Sequence, residues 1–338
     1  MNIGSLKIQP GSKTRGFIEM PDYDGPLRVR FPVLAACGTS ELPLVTLTAA
    51  QHGREVQGIE VIRRVFESLD IKNLRGTVMA LPVANPLAVR MWVQDYPSEL
   101  GRYGAGTVMG VAHNFNRHWP GSADGTLHER MCHTLWNSVI RHSSFHIDLH
   151  GWTDNSLGIA WANPANRQAL NSFSYPVSRV NPPLKEAKYN CLDEVCELAG
   201  IPWITVELPP QNRLWEKSVY HGVRGVMNVL KHLNMLDGPL DLEPHRYFIT
   251  PDSVEHKFVA KEAGLVSSDV PLGTMLAKGQ RFGAVYSLDT LEPIQELVAP
   301  EAGLLFNVGV HICECLNPTS IAAPGLNVAL VKEIVEIL

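Results

Sequence analysis

The sequence predicts an α/β protein: a three-layer domain on a mixed, mostly parallel sheet, followed by a small C-terminal all-β domain. Three observations carry this prediction. Between about residues 30 and 235, short β-branched runs alternate with longer stretches of helical period. After Gly238-Pro239 that period disappears, and short apolar runs alternate with turn residues such as Pro251-Asp252, Lys278-Gly279 and Glu301-Ala302-Gly303. Finally, 338 residues of which 45% are hydrophobic and 19% charged can bury one large core and a smaller one. The boundary is set at 1–242 for the first domain and 243–338 for the second.

In chain order, the expected strands of the first domain are Val33 to Ala36, Leu44 to Thr48, Val78 to Val83, Phe145 to Leu149, Gly158 to Trp161 and Trp203 to Glu207. Each is a short apolar or β-branched run bounded by turn or polar residues. A helix over Arg54 to Leu69 follows from the stripe Val56, Ile59, Ile62, Phe66 and Leu69, and one over Leu127 to His142 from Met131, Leu135 and Val139. Two more are expected over about Leu184 to Ala199 and Trp215 to Leu233. No solenoid repeat and no low-complexity stretch interrupts the pattern.

Composition excludes several functions. The net charge of -5 arises from 29 basic and 34 acidic residues spread without blocks, so neither a nucleic-acid tail nor a membrane-surface helix is present. The N-terminus MNIGSLKIQPGSKTRG lacks a signal peptide's apolar run, and no later run reaches the ~20 residues that span a bilayer, so a cytoplasmic address is expected. Six cysteines without a C-x-x-C pair read as reduced packing thiols, Cys313 and Cys315 of HICEC included.

In open α/β sheets, ligand sites form at the carboxyl ends of strands. Three such ends carry polar residues. In TAAQHGREVQG, His52 lies in the turn after the Leu44 strand and Glu55 in the first turn of the expected helix, so both face one point. In FHIDLHGWTDN, alternation puts Asp148 and His150 on one face, with Ile147 and Leu149 on the other. His52, Glu55 and His150 then form a His₂Glu set for Zn²⁺, which takes imidazole nitrogen and carboxylate oxygen at ~2.0–2.2 Å and keeps a fourth position for water. Asp148 would orient from behind a ligand. In WITVELPP the strand ends in Glu207, placed to take a proton from water and return it to a leaving nitrogen. The segment HERMCH imitates a zinc-protease helix, but His128 and His133 are five residues apart, about 140° around the wheel, and cannot share a metal.

The ordered pieces QHGREVQG, LPVANPLAVR, HNFNRHWPG, IDLHGWTDNSLG and GIPWITVELPP, followed by LGTMLAKGQRFGAV and ELVAPEAGLLF, resemble the succinylglutamate desuccinylase and aspartoacylase family over about residues 44 to 325. The resemblance implies the zinc carboxypeptidase α/β fold, one zinc ion on His52, Glu55 and His150, Glu207 as general base, and Asn116 with Arg117 as the pair that binds the substrate carboxylate. A guanidinium fork suits that last task. The chain departs from the pattern in four places. HNFNR replaces the usual acidic lead-in, Gln94 stands where relatives often carry a second substrate arginine, so that substitution by Arg90 or Arg102 is open, Leu208-Pro209-Pro210 follows Glu207 in place of glycines, and Gly151-Trp152 follows His150. Trp152 and Trp161 are open to either pocket lining or core packing. The tail resembles the barrel-sandwich fold of biotinyl and lipoyl domains, yet its hairpin APEAG lacks the cofactor-carrying lysine, which leaves a lid, a pocket wall or a homo-oligomer contact.

The activity implied is removal of an acyl group from an N-acyl amino acid or similar small carboxylated amide. Two alternatives stay open: a carboxypeptidase-like peptidase on the same metal site, and a metal-free binding protein that has kept the fold.

Overall fold

The computed structural model describes residues 2–20, 28–95, 113–310, 319–334 and 336–337. They divide into two compact units, the first Met1–Gly151, Ala160–Tyr175 and Asn181–Glu243, the second Trp152–Ile159, Pro176–Val180 and Pro244–Leu338. Arg102, Cys313 and Cys315 lie outside the described residues.

The first unit is built on strands β1 (Ser12–Glu19), β2 (Arg30–Cys37), β3 (Leu44–Ala49), β4 (Thr77–Leu81), β5 (Phe145–His150), β6 (Ile159–Ala162) and β7 (Trp203–Glu207). They run side by side in the order β6-β7-β5-β3-β4-β2-β1. β7, β5, β3 and β4 are mutually parallel, while β2 and β1 join antiparallel at one edge. The sheet is therefore mixed, as expected. β3, β4 and β5 are buried at every position. Parallel strands covered on both faces must satisfy any polar side chain internally, and β3 and β5 carry Thr46, Thr48, His146 and Asp148.

Among the described residues six α-helices complete the unit: α1 (Gln57–Ser68), α2 (Pro86–Met91), α3 (Leu127–Ser138), α4 (Arg167–Phe173), α5 (Leu192–Leu198) and α6 (Glu216–His232). α1 buries Val61, Ile62, Val65 and Phe66. Gly58 lets it seat on the strands, because a Cβ there would stand 2.7 Å from Ala49 Cβ and 2.9 Å from Leu149 Cβ. Gly225 of α6 does the same against the Phe173 ring of α4, where a Cβ would come within 2.3 Å. Phe31, Phe115 and Trp119 fill a core cluster that extends to α3 and α5.

Several boundaries differ from expectation. The first helix starts at Gln57, not Arg54, because the Glu55 amide closes a turn on His52 O at 3.2 Å. The third expected helix forms only from Leu192. The amides of Lys188, Tyr189 and Cys191 instead converge on Glu194 Oε2 at 3.2, 2.8 and 3.3 Å, so this carboxylate gathers the approach segment as a cap. α3 stops at Ser138, where Val139 leaves helical geometry at φ -134 and ψ -62. β1, α2 and α4 had no counterpart among the expected elements.

The second unit contains two four-stranded antiparallel sheets. One has the order Glu255–Val259, Asn327–Lys332, Gly303–Val308, Met275–Leu276, and the other Pro293–Val298, Arg281–Tyr286, Gly264–Ser268, Ile321–Ala322. They share one core, with Phe282, Val285 and Leu297 from one sheet and Leu276, Leu305 and Val331 from the other. Among the described residues these sheets do not close into a barrel. Tyr247–Ile249 pairs parallel with Val177–Val180 in the same unit. No helix among the described residues is long and apolar enough to cross a membrane.

Candidate metal centre and active site

His52 and Glu55 stand on the turn that leaves β3, and His150 is the last residue of β5. Neighbouring strands in parallel register bring their ends to one level, so a turn after one strand meets the end of the next. Glu55 lies between the two imidazoles, with Oε1 2.8 Å from His52 Nδ1 and Oε2 2.9 Å from His150 Nδ1. One ligand atom from each residue falls within 4.8 Å of the other two, and this is the sole such group of His, Cys, Asp or Glu among the described residues. All three are buried, at 8%, 3% and 4% exposure. Two imidazole nitrogens and a carboxylate oxygen converging on one point suit a divalent ion of the zinc class.

The far nitrogens of both rings are held. His150 Nε2 is 2.9 Å from Asp148 Oδ2, and His52 Nε2 is 3.0 Å from Asn114 Oδ1. Each ring thus has an acceptor at both nitrogens, Nε2 on the outer oxygen and Nδ1 on Glu55; with Nε2 held outward, Nδ1 is the nitrogen that would turn its lone pair to a metal. Glu55 gains another donor in Gln94, whose Nε2 lies 3.1 Å from Oε1. Gln94 thus braces the carboxylate. Asp148 accepts from Thr48, from Gln51 Nε2 at 2.6 Å and from His150.

Electrostatics point the same way. Burial lowers the pKa of His52, yet the Glu55 carboxylate outweighs it and raises the ring to about 9. His150 is raised well above its ordinary value, Asp148 and Glu55 overcoming burial. Burial opposes ionisation of Glu55 and Asp148 as well, but the histidines hold both carboxyls below their usual range. Buried carboxylates clustered this way demand positive charge, which two protons or one divalent ion can supply.

Glu207 ends β7 directly beside His150 in the strand register. It is half-buried, but its Oε2 is shut off from solvent and has no hydrogen-bond partner. Burial pushes its carboxyl up to about 8; His150 and His52 oppose that rise, while Glu55 and Asp148 reinforce it. A carboxyl near neutrality with an unused oxygen is equipped to exchange protons.

Asn116 and Arg117 lie in a 3-10 turn, Phe115–Arg117. The Asn116 amide sits between His150 Nε2 at 3.3 Å and the Leu192 amide, which donates to Oδ1 at 2.9 Å. Arg117 donates to Asn116 O at 2.7 Å, contacts Cys191 Sγ at 2.9 Å and lies 5.6 Å from the centre of the Tyr189 ring. Among the described residues no carboxylate pairs with it. Arg90 is exposed in the last turn of α2. Trp161 packs on the core and donates its indole N–H to Asp193 at 3.0 Å, while Trp152 belongs to the second unit. His128 is fully buried against Phe115, and His133 bonds Asn137, so the HERMCH histidines serve the helix and its packing.

Gln57 ties the two loops of the site together. Its Nε2 donates to Pro210 O at 3.1 Å and Arg213 O at 2.9 Å, while Oε1 accepts from Trp215 N at 3.1 Å. The Asn212 amide adds a bond to Arg54 O at 2.7 Å. Thr48, Gln51, Gln94, Asn114 and His146 were absent from the sequence-based site. Period-two alternation back from His150 and Asp148 was the available signal for His146; Thr48 lies on the neighbouring strand, Gln94 was read only as standing in an arginine's place, and Asn114 carried no signal because a loop brings it in.

A mixed sheet with a His₂Glu cluster and a protonatable carboxyl at the ends of its parallel strands, and an arginine with no acidic partner among the described residues on a nearby turn, is an α/β arrangement suited to hydrolysis. The profile of the succinylglutamate desuccinylase/aspartoacylase catalytic domain matches residues 41–233, and the chain belongs to that family of deacylases acting on N-acyl amino acids. The chain is 26% identical over 289 residues to the N-alpha-acetyl-L-2,4-diaminobutyric acid deacetylase of Halomonas elongata, covering 81% of this chain and 80% of that one. Its fold is similar to that of a succinylglutamate desuccinylase from a Silicibacter species, with a TM-score of 0.76 at 20% identity over 99% of this chain and 100% of that one. It is also similar to the product-bound ectoine utilization protein EutE (DoeB) of Ruegeria pomeroyi, with a TM-score of 0.74 at 23% identity over 97% and 98% of the two chains.

Proposed function

We propose that the chain is a zinc-dependent amidohydrolase that removes the acyl group from an N-acyl amino acid. The observation that carries this reading is the convergence of His52, Glu55 and His150 beside Glu207, whose Oε2 is unused. The Halomonas relative, named for deacetylating an acylated amino acid, supports the substrate class.

When bound by His52, Glu55 and His150, the ion would supply Lewis acidity to the amide carbonyl and to the attacking water. Glu207 receives the proton of that water and returns it to the leaving nitrogen, a double use that a carboxyl poised near neutrality serves. Arg117 grips the substrate carboxylate and, with Asn116, sets the amide in line with Glu207. Asp148 and Asn114 keep the imidazoles from turning.

The test incubates zinc-loaded protein and its Glu207→Gln variant with N-acetyl, N-succinyl and N-formyl amino acids and short peptides, following free amine by mass spectrometry. The expected result is amine release from one class of acyl amino acid, lowered about 10²–10⁴-fold in the variant. Release confined to peptide C-termini would make the protein a carboxypeptidase, and silence from a protein that retains no zinc would make it a binding protein.

A further inference from the structure

A chain of buried polar side chains runs through the sheet to the metal centre. β3 and β5 pair in parallel with Thr46 opposite His146 and Thr48 opposite Asp148. Alternation places all four on the face that carries His150. His146 lies between the threonines, its Nδ1 2.7 Å from Thr46 Oγ1 and its Nε2 3.2 Å from Thr48 Oγ1. Thr48 donates to Asp148 Oδ1, and Asp148 accepts from His150 through Oδ2. A carboxylate already accepting from His150 and Gln51 offers Thr48 no proton, so the threonine hydroxyl spends its single hydrogen there. It can then only accept from His146, which must donate from Nε2 and accept at Nδ1 from Thr46. Every proton in the chain consequently points toward the Asp148 carboxylate, which His150 meets from the other side. On the other flank, Trp119 Nε1 donates to Gln51 Oε1 at 2.8 Å, which fixes the Gln51 amide to donate toward Asp148.

We propose that Thr48 and His146 are positioning residues for the metal centre: through Asp148 they hold the His150 ring in the tautomer and orientation that leave Nδ1 bare toward Glu55 and the ion. The inference rests on the reading of His52, Glu55 and His150 as the metal site. Bonds one step behind a ligand typically set 10–100-fold in metal affinity. Thr48 acts through Asp148 on the ligand, and His146 through Thr48.

The experiment compares the full chain with Thr48→Val, which keeps shape and removes the hydroxyl, and Thr48→Ser, which restores it. Zinc affinity is measured by competition with a chromogenic chelator, and the His150 ring by ¹⁵N resonance in the zinc-loaded protein. Thr48→Val should weaken zinc by up to about 10-fold, the lower end of that range because Thr48 stands one step further back, and shift the His150 Nε2 resonance, while Thr48→Ser behaves as the parent. KM for the acyl substrate should not move. Should Thr48→Val fail to fold, His146→Met takes its place and His146→Gln, which keeps a donor for Thr48, is the rescue. Unchanged affinity and resonances in the Val variant, or equal weakening by Val and Ser, would overturn the proposal while leaving the metal site standing. A parent chain that binds no zinc would remove the metal site, and the proposal with it.

Discussion

His146 makes acid sensitivity measurable at one residue. The ring is fully buried between two threonines that satisfy both nitrogens of its neutral form, and burial lowers its pKa from an ordinary 6.5 to about 4. The unfolded chain therefore binds its proton at higher pH than the folded one, and stability is lost as pH falls from 6.5 towards 4. At about 1.4 kcal/mol per pH unit, the gap between 6.5 and about 4 amounts to about 3 kcal/mol. Urea unfolding of the chelator-treated parent and of His146→Gln, from pH 7.5 down to 4.5, isolates this share, because the carboxylates and remaining histidines titrate in both proteins. The parent should lose about 2–3 kcal/mol more than the variant over that range. Parallel losses would refute the neutral, doubly bonded imidazole.

Other outcomes follow from contacts already described. Arg117→Lys should raise KM for the acyl substrate about 10–100-fold, read from initial rates, with an unchanged urea midpoint, since the guanidinium has no acidic partner whose loss would unsettle the fold. Gly225→Ala should cost about 1–3 kcal/mol in thermal unfolding, because its Cβ would press within 2.3 Å of the Phe173 ring. Arg224→Met should cost about 3–5 kcal/mol by the same measurement, since the guanidinium is buried and joins Glu243 Oε2 at 2.8 Å to Ser174 O at 3.0 Å. Removing metal from the purified protein by dialysis against chelator should lower the melting temperature, and restoring zinc should return it.

The sheet was legible because its strands are short apolar runs between polar segments, and β7 falls where Trp203 to Glu207 was expected. Helix starts were less so. Apolar period carries no information on Glu194, whose carboxylate collects three amides and holds 188–191 out of the helix. β1 was missed because its inward positions Ser12, Thr14 and Gly16 are half-buried and only Ile18 is buried, so Ser12 to Glu19 contains no long apolar run. At the site, His52, Glu55, His150 and Glu207 stood out because each ends a strand or opens the turn beyond it. Gln94 reads as a missing arginine in the sequence, and in the structure its amide supports Glu55, a task visible only once the chain returns from α2.

The bonds of Gln57 bear on how such a protein diversifies. By bonding to Pro210, Arg213 and Trp215, one amide side chain clips the loop beyond Glu207 to the start of α1, just past the turn that carries His52 and Glu55. On the proposed reading, a change of acyl amino acid would then fall to the short turn bearing Asn116 and Arg117, where Cys191 and Tyr189 lie against the guanidinium, while the clipped side stays in alignment.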